Sequence, residues 1–425
     1  MSHFGIKVLE ANEEIIMPYA IQRNSKMVEL HDWQRRAIEY FFLHDNKILL
    51  EVTTGAGKTY CAIEILKEIL KIEPDLKCLI VCPKNVIMET SWYKELYDAG
   101  FSLPDIGIYY GMGKEYSKIT ITNMQSIDKV ALEVFDMIIL DEVHNYCTKR
   151  LFPYVEHPFK YKLGLSATIE RMDSAHWQLM KAFNYNIFKY SPQQAIKEGI
   201  LNPFNFYNIG VEMDSDTYED YLQQTEELNR IMLMGGGFGK IMRANSGLKM
   251  KMLSLMNKRK QLVNNYVRKF DVARIICKKH KGDKTLIFNQ YNSQTSKLYW
   301  HLLEEGLKAR IVHSDINKQE REQTLIDFRK DKFNILLASK VLDEGFNLPS
   351  ISCAIIMAGD SSAKQTIQRM GRVLRKKEKE SVLYQVYCKG TIEEEQAIER
   401  AKLFKQLASH YKDYNYAINK ELVLE

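Results

Sequence analysis

EVTTGAGKT, at residues 51–59, is the most informative stretch of this sequence. It follows an apolar run that predicts a buried strand over Lys47–Glu51, and it leads into a pattern that predicts a helix over Thr59–Leu70. A strand, a glycine-rich turn and a helix in this order form a loop whose backbone N–H groups surround phosphate oxygens at the helix N-terminus. The stretch therefore predicts a phosphate-binding loop.

Two side chains of this loop have predicted roles in binding a nucleoside triphosphate. Lys58 would reach the β- and γ-phosphates, and the hydroxyl of Thr59 would bind Mg²⁺. The common pattern has glycine where this chain has Val52, so the assignment depends on the strand and helix around the loop. The residues predicted to contact the nucleotide are Thr54, Gly55, Ala56, Gly57, Lys58 and Thr59.

Adjacent acids follow another apolar run, in the motif DEVH at 141–144. Hydrolysis of a phosphoanhydride needs one carboxylate that holds the metal and another that orients and deprotonates water. We predict that Asp141 binds Mg²⁺ and that Glu142 is the general base. His144 has two interpretations: it links two lobes through hydrogen bonds, or it is a structural histidine.

Short apolar runs alternate with helical patterns, and this alternation occurs twice along the chain. The first set predicts strands at Lys47–Glu51, Lys77–Val81, Lys118–Thr122, Met137–Leu140 and Tyr161–Leu165. The second set predicts strands at Thr285–Asn289, Arg310–His313, Asn334–Ala338, Ala354–Met357 and Ser381–Tyr387, and helices at Thr295–Leu303, Lys318–Lys330 and Lys364–Leu374. The pattern predicts an α/β fold with two tandem lobes, each a parallel sheet with helices on both faces.

The predicted organisation is an N-terminal segment at 1–28, a first lobe at 29–199 and a second lobe at 200–425. No strand pattern occurs between Asp214 and Gly282, where apolar residues recur at helical spacing. We therefore predict a helical insertion in the second lobe at 214–282.

Basic residues are concentrated in one part of the chain. The net charge is +6, but fourteen Lys or Arg residues lie between Lys240 and Lys284 against two acids. Such a block favours a polyanionic partner such as nucleic acid, with Lys258, Arg259 and Lys260 as candidate contacts. The alternative is a solvated helix that packs its apolar face on the second lobe.

Composition is that of a globular protein, with 45% hydrophobic and 27% charged residues. Seven scattered cysteines lack the paired spacing of a zinc site and are expected to be reduced thiols in the core. The sequence shows no signal-peptide pattern and no apolar run of roughly 18 residues. We expect an intracellular, cytoplasmic protein without a membrane partner, and a nuclear location stays open.

Five motifs follow one another in order: TTGAGKT at 53–59, DEVH at 141–144, SAT at 166–168, ASKVLDEGFNLP at 338–349 and QRMGRVLR at 368–375. With these motifs the chain resembles the superfamily 2 helicases, and it is most similar to the XPB/UvsW-type DNA helicases and translocases. One departure is Met172, where XPB-like proteins have Glu between an Arg and an Asp. The resemblance implies two RecA-like lobes of the P-loop NTPase fold, ATP and Mg²⁺ at the site, and DNA as the partner.

The resemblance also implies a cationic contribution from the second lobe. Arg372 and Arg375 would act as arginine fingers on the γ-phosphate, with Gln368 and Arg369 in support. The arginines recur at helical spacing, so an exposed basic helix is the alternative interpretation.

Further roles around the nucleotide come from the same resemblance. Gln34 would contact the adenine base, and Ser166 and Thr168 would couple hydrolysis to movement of the lobes. Gly345 and Asn347 would lie near the ribose and the metal. Most relatives have Asp where this chain has Asn347, so one negative charge is absent there.

The resemblance implies that a nucleic-acid strand is held mostly through its phosphates, with weak sequence preference and strong salt dependence. It suggests 3′-to-5′ polarity, and it places the helical insertion where such enzymes can carry a thumb-like DNA-gripping element. The implied strand contacts are Pro83, Lys84, Thr122 and Gln125 in the first lobe and Asn289, Gln290 and Ser339 in the second.

Three other functions stay open at this point. An RNA helicase would use similar strand contacts. A nucleic-acid-binding scaffold without turnover would not need Lys58, Asp141, Glu142 and Arg375 together. The chain could also be the translocating subunit of a larger complex, such as a restriction enzyme.

Overall fold

Two compact units make up the described part of the chain. The computed structural model describes residues 29–83, 92–111, 113–169, 174–243, 247–339, 351–357, 380–418 and 421–424, together with the backbone of 8–10. The described residues up to Leu201 belong to the first unit, and those from Asn202 onward belong to the second. No helix within these ranges is both long and apolar enough to cross a membrane.

The first unit is built on one sheet, which is parallel except at one edge, where β4 and β5 pair antiparallel. The strand order among the described residues is β1-β9-β2-β8-β7-β3-β6-β4-β5. The strands are β1 Val8–Glu10, β2 Lys47–Val52, β3 Cys78–Cys82, β4 Ile106–Tyr110, β5 Gly113–Lys114, β6 Ile119–Asn123, β7 Met137–Asp141, β8 Tyr161–Ser166 and β9 Ile187–Tyr190. The helices are α1 Asp32–Leu43, α2 Lys58–Ile72, α3 Tyr93–Asp98, α4 Phe152–Glu156, α5 His176–Ala182 and α6 Pro192–Lys197.

The central strands of this sheet are buried along their whole length. Every residue of β3, β6, β7 and β8 is buried. A strand buried on both faces gains from apolar side chains at every position and not only at alternate ones. This burial explains the apolar runs CLIVC in β3 and MIIL in β7.

The second unit repeats the plan with a sheet that is parallel throughout, in the order β12-β13-β11-β14-β15-β10-β16. Its strands are β10 Phe204–Val211, β11 Thr285–Phe288, β12 Ala309–Val312, β13 Ile335–Ala338, β14 Cys353–Ile356, β15 Ser381–Cys388 and β16 His410–Tyr416. Its helices are α7 Ser215–Met234, α8 Phe238–Arg243, α9 Gly247–Asn264, α10 Val267–Lys279, α11 Asn292–Glu304, α12 Lys318–Arg329 and α13 Ile392–Leu407.

The predicted α/β fold with two parallel-sheet lobes is confirmed, and all ten predicted strands lie within one residue of their observed bounds. The structure adds strands that were not predicted, including β4, β9, β10 and β16. The edge strand β16 has exposed and half-buried residues only, so it has no apolar run to detect. The predicted helix at Lys364–Leu374 lies outside the described residues.

The segment predicted as a helical insertion, 214–282, contains helices α7 to α10. Helices α7, α8 and α9 form what we term the helical hairpin, residues 215–264, and its distal half has a small core of its own around Ile231, Ile241 and Met252. Helix α10 instead packs Phe270 and Ile276 into the core of the second sheet. Helix α10 thus shares the helical periodicity of the hairpin and packs on the lobe, and the predicted bounds of the insertion, 214–282, stay a prediction.

A buried ion pair ties α10 to the rest of the second lobe. Lys269 Nζ lies 2.8 Å from both carboxylate oxygens of Glu393, and the Lys269 side chain is fully buried. Glu393 lies in the first turn of α13 and also accepts the backbone N–H of Cys388 at the end of β15. One carboxylate thus joins two helices and a strand, and Lys269, part of the basic block, has a structural role.

We predict that Lys269→Ala lowers the free energy of unfolding of the second lobe by about 3 kcal/mol or more, because it leaves the Glu393 carboxylate buried without its counter-ion. The matched control is Lys278→Ala, which removes an ion pair with Glu305 whose side chains are 47% and 40% exposed. That control should lower stability by at most about 1 kcal/mol. Urea denaturation of both variants measures the difference, and equal losses would contradict the structural role of Lys269.

Candidate nucleotide and nucleic-acid sites

The loop between β2 and α2 has the backbone geometry of a phosphate-binding loop. Gly55 and Gly57 have φ of 89° and 94°, in the left-handed region that glycine alone enters without cost. A Cβ atom at Gly57 would lie 3.1 Å from Nε2 of Gln34. Helix α2 begins at Lys58, so the N–H groups of its first turn are available to an anion.

Gln34 holds this loop from α1. Its side-chain N–H donates to the carbonyl of Gly57 at 3.2 Å, and its carbonyl oxygen accepts the N–H of His31 at 2.9 Å. Gln34 is only 2% exposed. The preceding Trp33 stacks on Tyr190, with ring centroids 4.9 Å apart, and fixes α1 beside the loop. The structure therefore places Gln34 against the phosphate loop, and its predicted adenine contact stays a prediction.

The two acids of the DEVH motif lie at the end of β7. Asp141 is the last residue of the strand and is 6% exposed. Glu142 has φ 48° and ψ 53°, a left-handed conformation that is strained for a residue with a side chain. Its carboxylate lies 3.0 Å from Nζ of Lys58. The strained turn thus brings an acid and the loop lysine into contact across 84 residues of sequence.

Burial determines the electrostatics of Asp141. Desolvation, followed by the neighbouring charge of Glu142, raises the pKa of Asp141 to about 6, while Lys58 and the indole N–H of Trp92 oppose the rise. Trp92 Nε1 donates to Asp141 Oδ2 at 3.1 Å. Trp92 was not predicted as a site residue, because 49 residues separate it from Asp141 and no local pattern joins them. The one feature of the sequence that singles it out is the rarity of tryptophan, of which the chain has four.

A chain of polar contacts continues from Glu142 to the SAT motif. Nδ1 of His144 lies 3.5 Å from Glu142 Oε2 and 2.9 Å from Ser166 Oγ. Ser166 Oγ donates to the carbonyl of Thr168 at 2.6 Å and accepts the Thr168 N–H at 3.1 Å. Because the Ser166 proton is used in that bond, Nδ1 of His144 is the donor to Ser166. The geometry thus connects the predicted base to both predicted coupling residues.

The residues present fit a triphosphate with Mg²⁺. Carboxylate and hydroxyl oxygens are ligands that Mg²⁺ prefers, and Asp141 and Thr59 would supply them. Within the described ranges, the buried Thr54 hydroxyl has no hydrogen-bond partner, as expected of a group that binds a phosphate oxygen.

The predicted strand contacts of the first lobe follow β3 and β6. Pro83 comes directly after β3 and is half-buried. Gln125 is exposed, on a turn that the Asn123 side chain closes by accepting the Gln125 and Ser126 N–H groups. Thr122 differs from the prediction: it is fully buried, and its hydroxyl donates to the carbonyl of Tyr109 at 2.8 Å. Its side chain is therefore used inside the lobe.

The corresponding residues of the second lobe follow β11 and β13. Ser339 Oγ donates to Asn292 Oδ1 at 2.7 Å, and the Gln290 N–H donates to the side chain of Gln294 at 3.1 Å. Asn289 is 2% exposed, and neither its side-chain N–H₂ nor its carbonyl has a partner in the described part of the chain. An unpartnered buried amide at the carboxyl edge of a parallel sheet fits a ligand-binding position.

The three predicted contacts of the basic block differ in their surroundings. Lys258 is exposed, whereas Arg259 lies over the ring of Tyr221 and donates to Thr225 Oγ1 at 3.2 Å. Lys260 is half-buried. Arg259 thus holds α9 against α7, and Lys258 remains the most accessible of the three.

Several predicted site residues lie outside the described residues: Lys84, Gly345, Asn347, Gln368, Arg369, Arg372 and Arg375. Their roles stay predictions from the motifs.

Two protein-family models match the chain. The family described as type III restriction enzyme, res subunit, matches residues 27–171, and the helicase conserved C-terminal domain matches residues 267–377. The first match contains the phosphate loop and the DEVH motif, and the second contains the QRMGRVLR motif.

Relatives of known type match most of the chain. It is 26% identical to the DNA 3′-5′ translocase XPB2 of Sulfurisphaera tokodaii, over 92% of this chain and 88% of that one. It is 24% identical to the DNA 3′-5′ helicase XPB of Mycobacterium tuberculosis, over 90% of this chain and 65% of that one. A third relative is the factor IIH helicase/translocase subunit XPB of Encephalitozoon cuniculi, with 25% identity over 80% of this chain and 48% of that one.

Solved structures show the same architecture. The helicase domain of Pyrococcus furiosus Hef superposes with a TM-score of 0.61 at 16% identity, covering 85% of this chain and 96% of that one. Saccharomyces cerevisiae Dbp5 superposes with a TM-score of 0.60 at 14% identity, covering 90% of this chain and 88% of that one. At this identity the likeness shows the fold alone, two tandem RecA-like lobes. With both family models and its XPB-type relatives, the chain belongs to the superfamily 2 helicases, which are ATP-hydrolysing enzymes.

Proposed function

We propose that this protein is an ATP-dependent DNA translocase and helicase. The observation that carries the proposal is the centre formed by Lys58, Asp141 and Glu142, in which a phosphate-loop lysine and two strand-end acids are in contact. The DNA substrate is supported by the names of the relatives, the first of which matches the chain over 88% of its own length.

In this proposal each residue of the centre has one task. The first turn of α2 and Lys58 bind the β- and γ-phosphates of ATP, and Thr59 and Asp141 hold Mg²⁺. When bound, the metal neutralises charge that develops on the phosphate oxygens. Glu142 accepts a proton from the attacking water. Because Lys58 contacts Glu142 at 3.0 Å, its transfer to the phosphates would free that carboxylate to act as the base.

The series of polar contacts that begins at Glu142 supports a route by which hydrolysis is coupled to movement of the lobes. A change in the charge of Glu142 alters its contact with His144, and His144 shares its proton with Ser166. Ser166 in turn fixes the backbone at Thr168, just after β8. We propose that these polar contacts, together with Arg372 and Arg375 acting on the γ-phosphate, convert hydrolysis into movement of the lobes along DNA.

DNA binding in this proposal uses the carboxyl ends of both sheets, with Gln125 in the first lobe and Asn289 in the second. These are polar groups that suit phosphates and sugars more than base edges, so sequence preference should be weak. The exposed Lys258 adds a cation on the helical hairpin. An RNA helicase would use similar contacts, and the test therefore compares DNA with RNA.

The decisive experiment compares ATPase rates with single-stranded, duplex and forked DNA and with RNA. We expect DNA to stimulate turnover more than RNA, and Glu142→Gln to bind ATP while turnover falls by about 100-fold or more, because the general base is lost. The matched control is Glu133→Gln, the same change at an exposed acid of the first lobe, which should leave turnover unchanged. Stimulation by RNA alone, or full turnover by Glu142→Gln, would sink the proposal.

Trp92 gives a second test of the same centre. Trp92→Phe keeps an aromatic ring but removes the N–H that donates to Asp141, so the metal-binding carboxylate loses a bond of about 1.5–3 kcal/mol. We expect kcat to fall about tenfold and the Mg²⁺ concentration for half-maximal activity to rise. Tyr146→Phe is the control, since it removes a buried hydrogen bond to Val81 and leaves Asp141 its partner. Equal Mg²⁺ dependence in the two variants would show that Trp92 only fills space.

A further inference from the structure

The distal end of the helical hairpin exposes large apolar side chains. Leu233 is 82% exposed and Met234 is 79% exposed in the last turn of α7. Met250 is 74% exposed in the first turns of α9, and Phe238, at the start of α8, is 48% exposed. Because α8 joins these two helix ends, the four side chains lie at the same end of the hairpin, which we term the tip. Exposed apolar groups in such number mark an interaction surface.

The charge around the tip is of one sign. No Asp or Glu occurs between Glu227 and Asp271, a span that includes all of α8 and α9. Lys240 and Arg243 on α8 are exposed, and no acid pairs with either of them in the described part of the chain. A surface that combines apolar side chains with unpaired cations is complementary to a polyanion that also presents flat apolar groups. Nucleic-acid bases next to their phosphates have this chemistry.

The hairpin is packed close to its tip by a core that is separate from the core of the second sheet. Near the base of the hairpin, the hydroxyl of Tyr266 accepts the Asp214 N–H at 2.9 Å and that of Tyr221 accepts the Ile392 N–H at 2.9 Å. Helix α7 has 20 residues, which is about 30 Å of helix. The distal core around Ile231, Ile241 and Met252 holds the two long helices together close to the tip. A packed helical hairpin of this length can press against a duplex.

We propose that the tip is a wedge that packs Leu233, Met234 and Met250 against the bases at a junction between single-stranded and duplex DNA. Lys240 and Arg243 bind the flanking phosphates. Apolar side chains inserted at a base step unstack it, and nearby cations offset the cost. The inference rests on the proposed function and specifies its substrate: junctions, in preference to continuous duplex.

The test uses forked DNA with 2-aminopurine at the junction or well inside the duplex. Binding of the full-length protein should raise the fluorescence of the junction probe only, because apolar side chains replace a stacked base. In the variant Leu233→Asn/Met234→Asn/Met250→Asn, the fluorescence change and the rate of fork unwinding should each fall about tenfold. ATPase stimulated by single-stranded DNA should be unchanged. The control Trp300→Asn/Ile398→Asn changes side chains that are 62% and 49% exposed elsewhere in the second lobe and should behave as wild type.

The outcomes separate this inference from the proposed function. Equal junction signals and unwinding rates in the tip variant and wild type would overturn the wedge while DNA-stimulated ATPase stands. A lipid surface would replace DNA as the partner of the tip if the wild type gave no junction signal but bound anionic vesicles, and if the tip variant lost that binding. This result would overturn the wedge. Absence of DNA-stimulated ATPase in the wild type would instead overturn the proposed function. The junction fluorescence is first measured with the wild type. A wild type without this fluorescence change would therefore contradict the wedge even if the variant misfolded.

Discussion

The contact between Lys58 and Glu142 is the interaction on which the account of this protein depends. It joins the start of α2 to the end of β7, two elements that are 84 residues apart in sequence. The contact requires glycine at 57, where φ is 94°, and a left-handed backbone at Glu142, where φ is 48°. Both are costly conformations for ordinary residues, and both lie at the carboxyl edge of the first sheet. These costly backbone conformations thus lie at the candidate active site.

Burial gives this contact its chemical meaning. Asp141 lies beside Glu142 with 6% of its surface exposed, and Lys58, Trp92 and the backbone N–H of Glu142 offset its desolvation. Two adjacent acids in such an environment attract cations strongly, which suits a metal-assisted phosphoryl transfer. Lys58 can serve either the acids or the phosphates of a nucleotide. In the proposed mechanism, that choice would give the site two states.

Much of the fold could be predicted from the sequence because the central strands are buried on both faces. Runs such as those at β3 and β7 leave little choice of structure. The edge strand β16 escaped prediction since it is only half-buried. The helices of 214–282 could be predicted, but helical periodicity does not say which core a helix such as α10 joins. The loop lysine and strand-end acids were predicted from local motifs. Trp92 and the internal use of Thr122 depend on tertiary contacts that no local pattern encodes.

The most direct test of the central claim is a double-mutant cycle on ATP affinity, measured with a non-hydrolysable analogue for wild type, Lys58→Ala, Glu142→Gln and the double variant. If Lys58 leaves Glu142 for the phosphates, Glu142→Gln removes a competitor and tightens binding. We predict that this gain is larger by about 0.5–3 kcal/mol when Lys58 is present than when it is replaced. An equal gain in both backgrounds would show that the carboxylate repels nucleotide only through its general charge, and it would contradict the exchange of Lys58 between acid and phosphate.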